Sequence, residues 1–336
     1  MRKLKDAIIG LAIGDAMGVP LEFKAREYLQ ANLTTEMKGY GSHNVPKGTW
    51  SDDTSMTLAL IDAINKTGEI VPKDIADNFV KWLDNAEFTP GGKVFDVGGT
   101  CLRAIVRYRG NLAKPEECGE DGEWSNGNGS LMRISPLIFY CYDKNMNNEE
   151  IYECVKTVSS ITHKHEISVM GCYIYVLFGI ELLKGSNFLE AYNVIKNINY
   201  HFFSQNCKNR YDRIINSEIY NYSMDEIKST GYIVDTLEAA LWCLMNTNCF
   251  DDAVIKAINL GDDTDTVGAC VGALAAICYG DDSINENWKR DLLKLDEIIG
   301  TCEEFENGIL IKSYYKVYEC TVIKKDVIII WQNKLV

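Results

Sequence analysis

Five consecutive residues, Asp262-Asp263-Thr264-Asp265-Thr266, bring three carboxylates and two hydroxyls to the entrance of an apolar, glycine-spaced run that continues to Tyr279-Gly280. Carboxylates side by side repel one another unless a cation or a helix N-terminus offsets their charge. A second cluster, Trp50-Ser51-Asp52-Asp53-Thr54-Ser55-Met56, again leads into an apolar, helix-like run. Neither cluster contains His or Cys. Oxygen donors alone suit a hard cation, so the two clusters read as one metal site assembled from both ends of the chain. Helix capping competes with this reading, because Ser51 is a favoured N-cap and acids suit a first turn. Capping uses one or two acids, and the later cluster has three.

Two other loop chemistries bear on the cluster at Asp262 to Thr266. A calcium loop begun at Asp263 requires an acid at its twelfth position, where Leu274 stands. The Asp-x-Asp-x-Val pattern of haloacid-dehalogenase-like phosphatases matches Asp263 to Val267, but it belongs after a buried strand of a parallel sheet, and the chain offers none. Elsewhere, Asn126-Gly127-Asn128-Gly129-Ser130 is a loop that, opening a helix, can present successive backbone N–H groups to a phosphate, with Arg133 one turn in. Thr162-His163-Lys164-His165 holds two of the four histidines. Tyr232, after Gly231, is either a packing aromatic or a platform for a base. Glu22, beyond a Gly/Pro turn, reads from position alone as a surface acid.

The elements that carry these loops are helical. Apolar residues recur at three-to-four spacing in Ala7-Ile8-Leu11-Ala12, Met56 to Ile64, Ile75 to Leu83, Ile151 to Val158, Leu237 to Leu244 and Ala253 to Ile258. Ile167 to Leu183 is apolar nearly all round, which predicts a central helix with neighbours on every side. Gly10 and Gly14, like Gly268 and Gly272, recur at a spacing that suits close helix packing. Strand-like alternation is confined to the C-terminus, where Ile309-Leu310-Ile311 and Val327 to Trp331 could form a hairpin. The expectation is an all-α fold: a single domain over residues 1–305 and an extension over 306–336 of unassigned role.

Bulk composition excludes several function classes. With 336 residues, of which 46% are hydrophobic, the chain can bury a large core. A net charge of −14 argues against a nucleic-acid surface. The 12 cysteines show no CxxC pair and read as reduced, buried thiols of a cytoplasmic protein. Asp6 and Asp15 interrupt the first apolar stretch and argue against a signal peptide. Thr266 to Tyr279, the longest uncharged apolar run, is too short to span a membrane.

Taken in order, the motifs resemble those of the ADP-ribosylglycohydrolase family. Gly14-Asp15-Ala16-Met17-Gly18-Val19-Pro20-Leu21-Glu22, Ser51-Asp52-Asp53-Thr54-Ser55-Met56, Asp96-Val97-Gly98, Gly127-Asn128-Gly129 through Met132-Arg133, Thr162-His163-Lys164-His165, Ser229 through Leu237 and Gly261 through Ala269 match its pattern from about Ile8 to Gly280. The Ser229–Leu237 stretch is similar to the bacterial branch, that of the dinitrogenase-reductase-activating glycohydrolase. The resemblance implies a compact orthogonal multi-helix bundle with a binuclear centre of two divalent cations, Mg or Mn. Ser51, Asp52, Asp53, Asp263, Asp265 and Thr266 would be its ligands. It moves Glu22 from the surface to the metals and makes Glu22 and Asp96 the proton-handling carboxylates. Gly127, Asn128, Gly129 and His163 would hold pyrophosphate and ribose, and Ser229, Gly231 and Tyr232 the adenosine end. The implied reaction releases ADP-ribose from an ADP-ribosylated protein, most simply at arginine, or from a small ADP-ribose conjugate. No nucleic acid or membrane partner is expected. A non-catalytic ADP-ribose binder on the same scaffold is the alternative.

Overall fold

The computed structural model describes residues 4–307, and every regular element in that span is helical. Backbone pairing outside helices and turns is reduced to two single bridges, Glu120 with His163 and Gly127 with Tyr232. A phosphatase built on a parallel sheet is therefore excluded over these residues. The hairpin expected at the C-terminus lies outside them.

Two helices from opposite ends of the described chain form the axis of the molecule. Leu4–Gly18 lies along Thr264–Tyr279, and almost every residue of both is buried. Their glycines make this possible. A Cβ on Gly14 would lie 2.0 Å from the Gly268 carbonyl oxygen, and one on Gly18 would lie 2.3 Å from Asp265 Cα. The second contact sets the start of the later helix, with its aspartates, against the end of the first. The Thr264 hydroxyl then donates to the Gly18 carbonyl at 2.9 Å.

The Asp52–Thr67 helix joins this pair, capped by Ser51, whose hydroxyl accepts from the Asp53 amide. Glu166–Leu183 is the central apolar helix that the sequence predicts. It has the length and hydropathy of a membrane span, yet 83% of it is buried among its neighbours, including Pro136–Asp143, Asn148–Ser160 and Ile233–Met245. Such burial removes on the order of 25 cal/mol from the unfavourable hydration of each Å² covered, which suits the helix to a core. Among the described residues eleven cysteines are free, and most are buried.

Candidate metal centre and ligand cleft

Two helix starts and the loops around them converge on one end of the axial pair. Asp52 and Asp53 open one helix, and Asp263, Thr264, Asp265 and Thr266 open another. Ser51, Asp52, Asp53, Asp265 and Thr266 are all at most 5% exposed. Ser51 and Thr266 both donate to Asp53 Oδ2, at 3.1 and 3.4 Å, which joins the two acidic clusters across the sequence. Glu22, 4% exposed, meets the same cluster. One oxygen each from Glu22, Asp263 and Asp265 lie within 4.8 Å of one another, a grouping able to hold a cation. Glu22 is thus no surface residue, as the family resemblance requires.

The hydrogen-bond pattern separates capping from ligation. Ser51 does cap its helix. Asp263, at the cap of Thr264–Tyr279, makes no side-chain capping bond. Its Oδ2 accepts instead from Asn128 Nδ2 at 2.9 Å, while its Oδ1 is buried without a partner. Asp53 Oδ1 and Asp265 Oδ2 are likewise buried and unpartnered. Leaving a buried acceptor unsatisfied is costly, and three carboxylate oxygens left so in one place fit a cation better than any cap. Electrostatics agrees. Burial holds Asp52, Asp53 and Asp265 well above the usual carboxylate range, with neighbouring carboxylates adding to the effect. Burial also raises Asp263, and it lifts Glu22 to about 7 against the opposing contact with His43. The donor set is all oxygen, as a hard divalent ion prefers.

Beside the cluster is a cavity of about 240 Å³ whose lining includes Glu22, Asp52, Asp96, Asp263 and Thr266 together with Gly127, Asn128, Gly129, His163 and Gly231. Gly127 and Gly231 also border an outer lobe of about 490 Å³ that contains Tyr232 and the fully exposed Trp124. The Gly127–Tyr232 bridge and the bond from the Asn128 amide to the Gly231 carbonyl, 3.0 Å, hold the two loops together at the junction. Ser51, Asp53 and Asp265 lie beneath the cavity rather than on its wall. Ser229 is fully buried behind it, donating to the Gly261 carbonyl at 2.9 Å and so fastening the Ser229–Tyr232 loop to the acidic loop.

The glycine loop differs from the sequence expectation. It opens only a 3-10 turn, Asn128–Ser130, and the next α-helix begins at Pro136. Arg133 does not face a phosphate. It is wholly buried, stacked over the Phe79 ring at 4.7 Å, and it donates to the Gly129 carbonyl and, at 2.7 Å, to Thr162 Oγ1. Its guanidinium shapes the loop from behind. Because Thr162 Oγ1 accepts from Arg133, the hydroxyl hydrogen is free to point to His163 Nδ1, 2.8 Å away. This leaves the ring proton on Nε2, the atom nearest a Cβ built on Gly127. Burial, assisted by the Arg133 charge, lowers His163 to about 3, so it stays neutral and offers one N–H to the cavity. His165 instead caps the central helix by accepting from the Ile167 amide.

Two residues escaped sequence reasoning. Asp15, fully buried, accepts from the Ser51 and Thr54 amides and from the Thr54 hydroxyl, and so orients the first acidic cluster. Its signals were its charge in a largely apolar helix and its place in the Gly14–Glu22 motif, neither of which assigned it a role. His43 contacts Glu22 Oε2 and packs its ring against Phe23 and Phe95. It sits in a loop with no periodicity, and nothing in the sequence marks it.

Residues 1–317 match the family model described as ADP-ribosylglycohydrolase. The chain is 32% identical to the ADP-ribosylarginine hydrolase Tri1 of Serratia proteamaculans, covering 90% of this chain and 78% of that protein. It is 35% identical to the Tri1 enzyme of Pseudomonas putida, with coverages of 85% and 73%. Identity to the ADP-ribosyl-dinitrogen reductase glycohydrolase of Rhodospirillum rubrum is 30%, over 86% of this chain and 89% of that one. A solved structure described as an ADP-ribosylglycohydrolase-related protein complex superposes with a TM-score of 0.76 at 26% identity, over 92% of this chain and all of the other. Together with the helical bundle and the acidic cleft at its end, these matches establish that the chain is a hydrolase belonging to the ADP-ribosylglycohydrolase family.

Proposed function

We propose that this enzyme hydrolyses the glycosidic bond between ADP-ribose and an arginine side chain of a modified protein, and that it requires two divalent cations, Mg or Mn. The observation that carries the metal requirement is the set of buried, unpartnered oxygens on Asp53, Asp263 and Asp265. Ser51, Asp52, Asp53, Asp263, Asp265 and Thr266 are the residues that would hold the cations. Bound there, the cations supply positive charge for the ribose hydroxyls and make an adjacent water more acidic. The arginine linkage is favoured by the named activity of the Tri1 relatives.

The chain's own groups account for the rest. Asn128 and the Gly127–Gly129 loop shape the wall against which the pyrophosphate lies, and the His163 N–H donates into the same space. The outer lobe beside Tyr232 has room for the adenosine. Glu22 borders the cavity and is not among the residues that would hold the cations, which suits it to general acid–base work. Asp96 faces the same cavity from a left-handed backbone position, φ 53°, and is the second carboxyl free for protons. Developing positive charge at the ribose C1″ carbon is stabilised by the surrounding carboxylates, as in other glycoside hydrolyses.

The test is release of ADP-ribose from mono-ADP-ribosylated arginine and serine peptides with Mn, Mg or EDTA, using the Asp263→Asn, Asp265→Asn double variant as control. Metal-dependent release from the arginine peptide, lost in the variant, is expected. Release that persists in EDTA would refute the metal requirement, and release from serine alone would refute the linkage.

A further inference from the structure

Phe23, directly after Glu22, combines three features that its packing does not account for. It is 70% exposed, it borders the inner cavity, and its φ of 63° puts a bulky side chain in the left-handed region. A phenylalanine that contributed only to stability would turn inward and relax. Instead the backbone holds it out. Its amide donates to the Asp262 carbonyl at 2.7 Å, and the Asp262 amide returns a bond to the Lys24 carbonyl at 3.0 Å. Gly261 and Asp262, themselves left-handed, complete this clamp between the Glu22 loop and the acidic loop. On one side the Phe23 ring meets His43 at 5.9 Å, and His43 meets Phe95 at 5.2 Å, so the three rings form a row of which Phe23 borders the cavity. The remainder of the Phe23 ring is open.

The position of this ring within the cleft gives it a use. The outer lobe with Tyr232 joins the inner lobe through Gly127 and Gly231, and Phe23 borders only the inner lobe. With the adenosine in the outer lobe and the reacting ribose over the carboxylates, the acceptor leaves by the side that Phe23 flanks. A largely exposed ring that lines the same cavity as the carboxylates of Glu22, Asp52, Asp96 and Asp263 is a receptor for a planar cation. Guanidinium stacks on such faces, whereas a serine hydroxyl gains nothing from them.

We infer that Phe23 is a specificity-determining residue on the acceptor side, whose exposed ring stacks against the guanidinium of the modified arginine. This rests on the arginine linkage proposed above. The experiment compares the wild-type enzyme with Phe23→Ala, Phe23→Leu and Phe23→Trp on an ADP-ribosylated guanidinium substrate, and measures free ADP-ribose binding by calorimetry in each. The alanine and leucine variants should raise KM about 3- to 30-fold, the span that stacking of a cation on an aromatic face supports. Phe23→Trp should keep the wild-type KM, and ADP-ribose affinity should be unchanged throughout. An unchanged KM in Phe23→Ala and Phe23→Leu overturns the inference. So does a parallel loss of ADP-ribose affinity, which would make Phe23 a structural part of the cleft. A wild-type enzyme inactive on the guanidinium substrate but active on serine would sink the linkage itself, and the two failures are thereby distinguished.

Discussion

Single residues in the cleft were legible in proportion to how far their chemistry stood out from a structural role. Asp263 and Asp265 were legible because three acids within four positions exceed what a cap uses, and each of the two has a buried carboxylate oxygen without a partner. Arg133 was misread because a charged residue one turn beyond a glycine loop has the same sequence signature whether it faces a ligand or braces the loop from behind. The cleft carboxylates also fix a pH dependence. Glu22 and Asp15 have folded pKa values of about 7 and about 6, both raised chiefly by burial. Raised carboxylates keep their protons in the metal-free folded protein to higher pH than in the unfolded chain. Stability contributed by these groups is therefore present at low pH and declines as pH rises from about 4 to about 7. A cation needs the deprotonated forms, so its affinity moves the opposite way. Thermal unfolding at fixed Mn concentration should show the gap between metal-loaded and metal-free protein widening over that window. A gap that is constant or that narrows would place the cation elsewhere.

At the scale of elements, periodicity located the helices well, including the central Glu166–Leu183, because apolar spacing reports burial directly. What periodicity could not show was which helices touch. Only the paired glycines pointed to the axial contact, since a four-residue glycine spacing has little other use in a buried helix. That contact also supports the site, because it seats Asp265 against Gly18. Replacing Gly14 by alanine puts a methyl 2.0 Å from the Gly268 oxygen, and backbone cannot yield as a side chain does. Overpacking of this kind costs about 1–3 kcal/mol or more. A matching fall in urea-unfolding free energy is expected, accompanied by weaker Mn binding as the two helix ends separate. Lost stability with unchanged Mn affinity would mean that the axial pair and the acidic site are mechanically independent.

For the whole molecule, the proposed metal ligands come from the first and last thirds of the described chain, so the acidic cluster is assembled only when the fold is complete. A cation that binds the native state alone must stabilise the entire domain, by about 2.7 kcal/mol at a hundred times its dissociation constant. EDTA should accordingly lower the unfolding temperature of the wild-type chain and leave that of Asp263→Asn, Asp265→Asn nearly unaffected, because the variant has already lost the site. The most direct test of the account is to count bound Mn on the intact chain by calorimetry, with electron paramagnetic resonance to detect coupling between neighbouring ions. Two magnetically coupled Mn ions in the wild-type protein, reduced in number by the double variant, are predicted. A wild-type chain that binds no Mn and no Mg while folded would contradict the claim that these buried carboxylates form a metal centre.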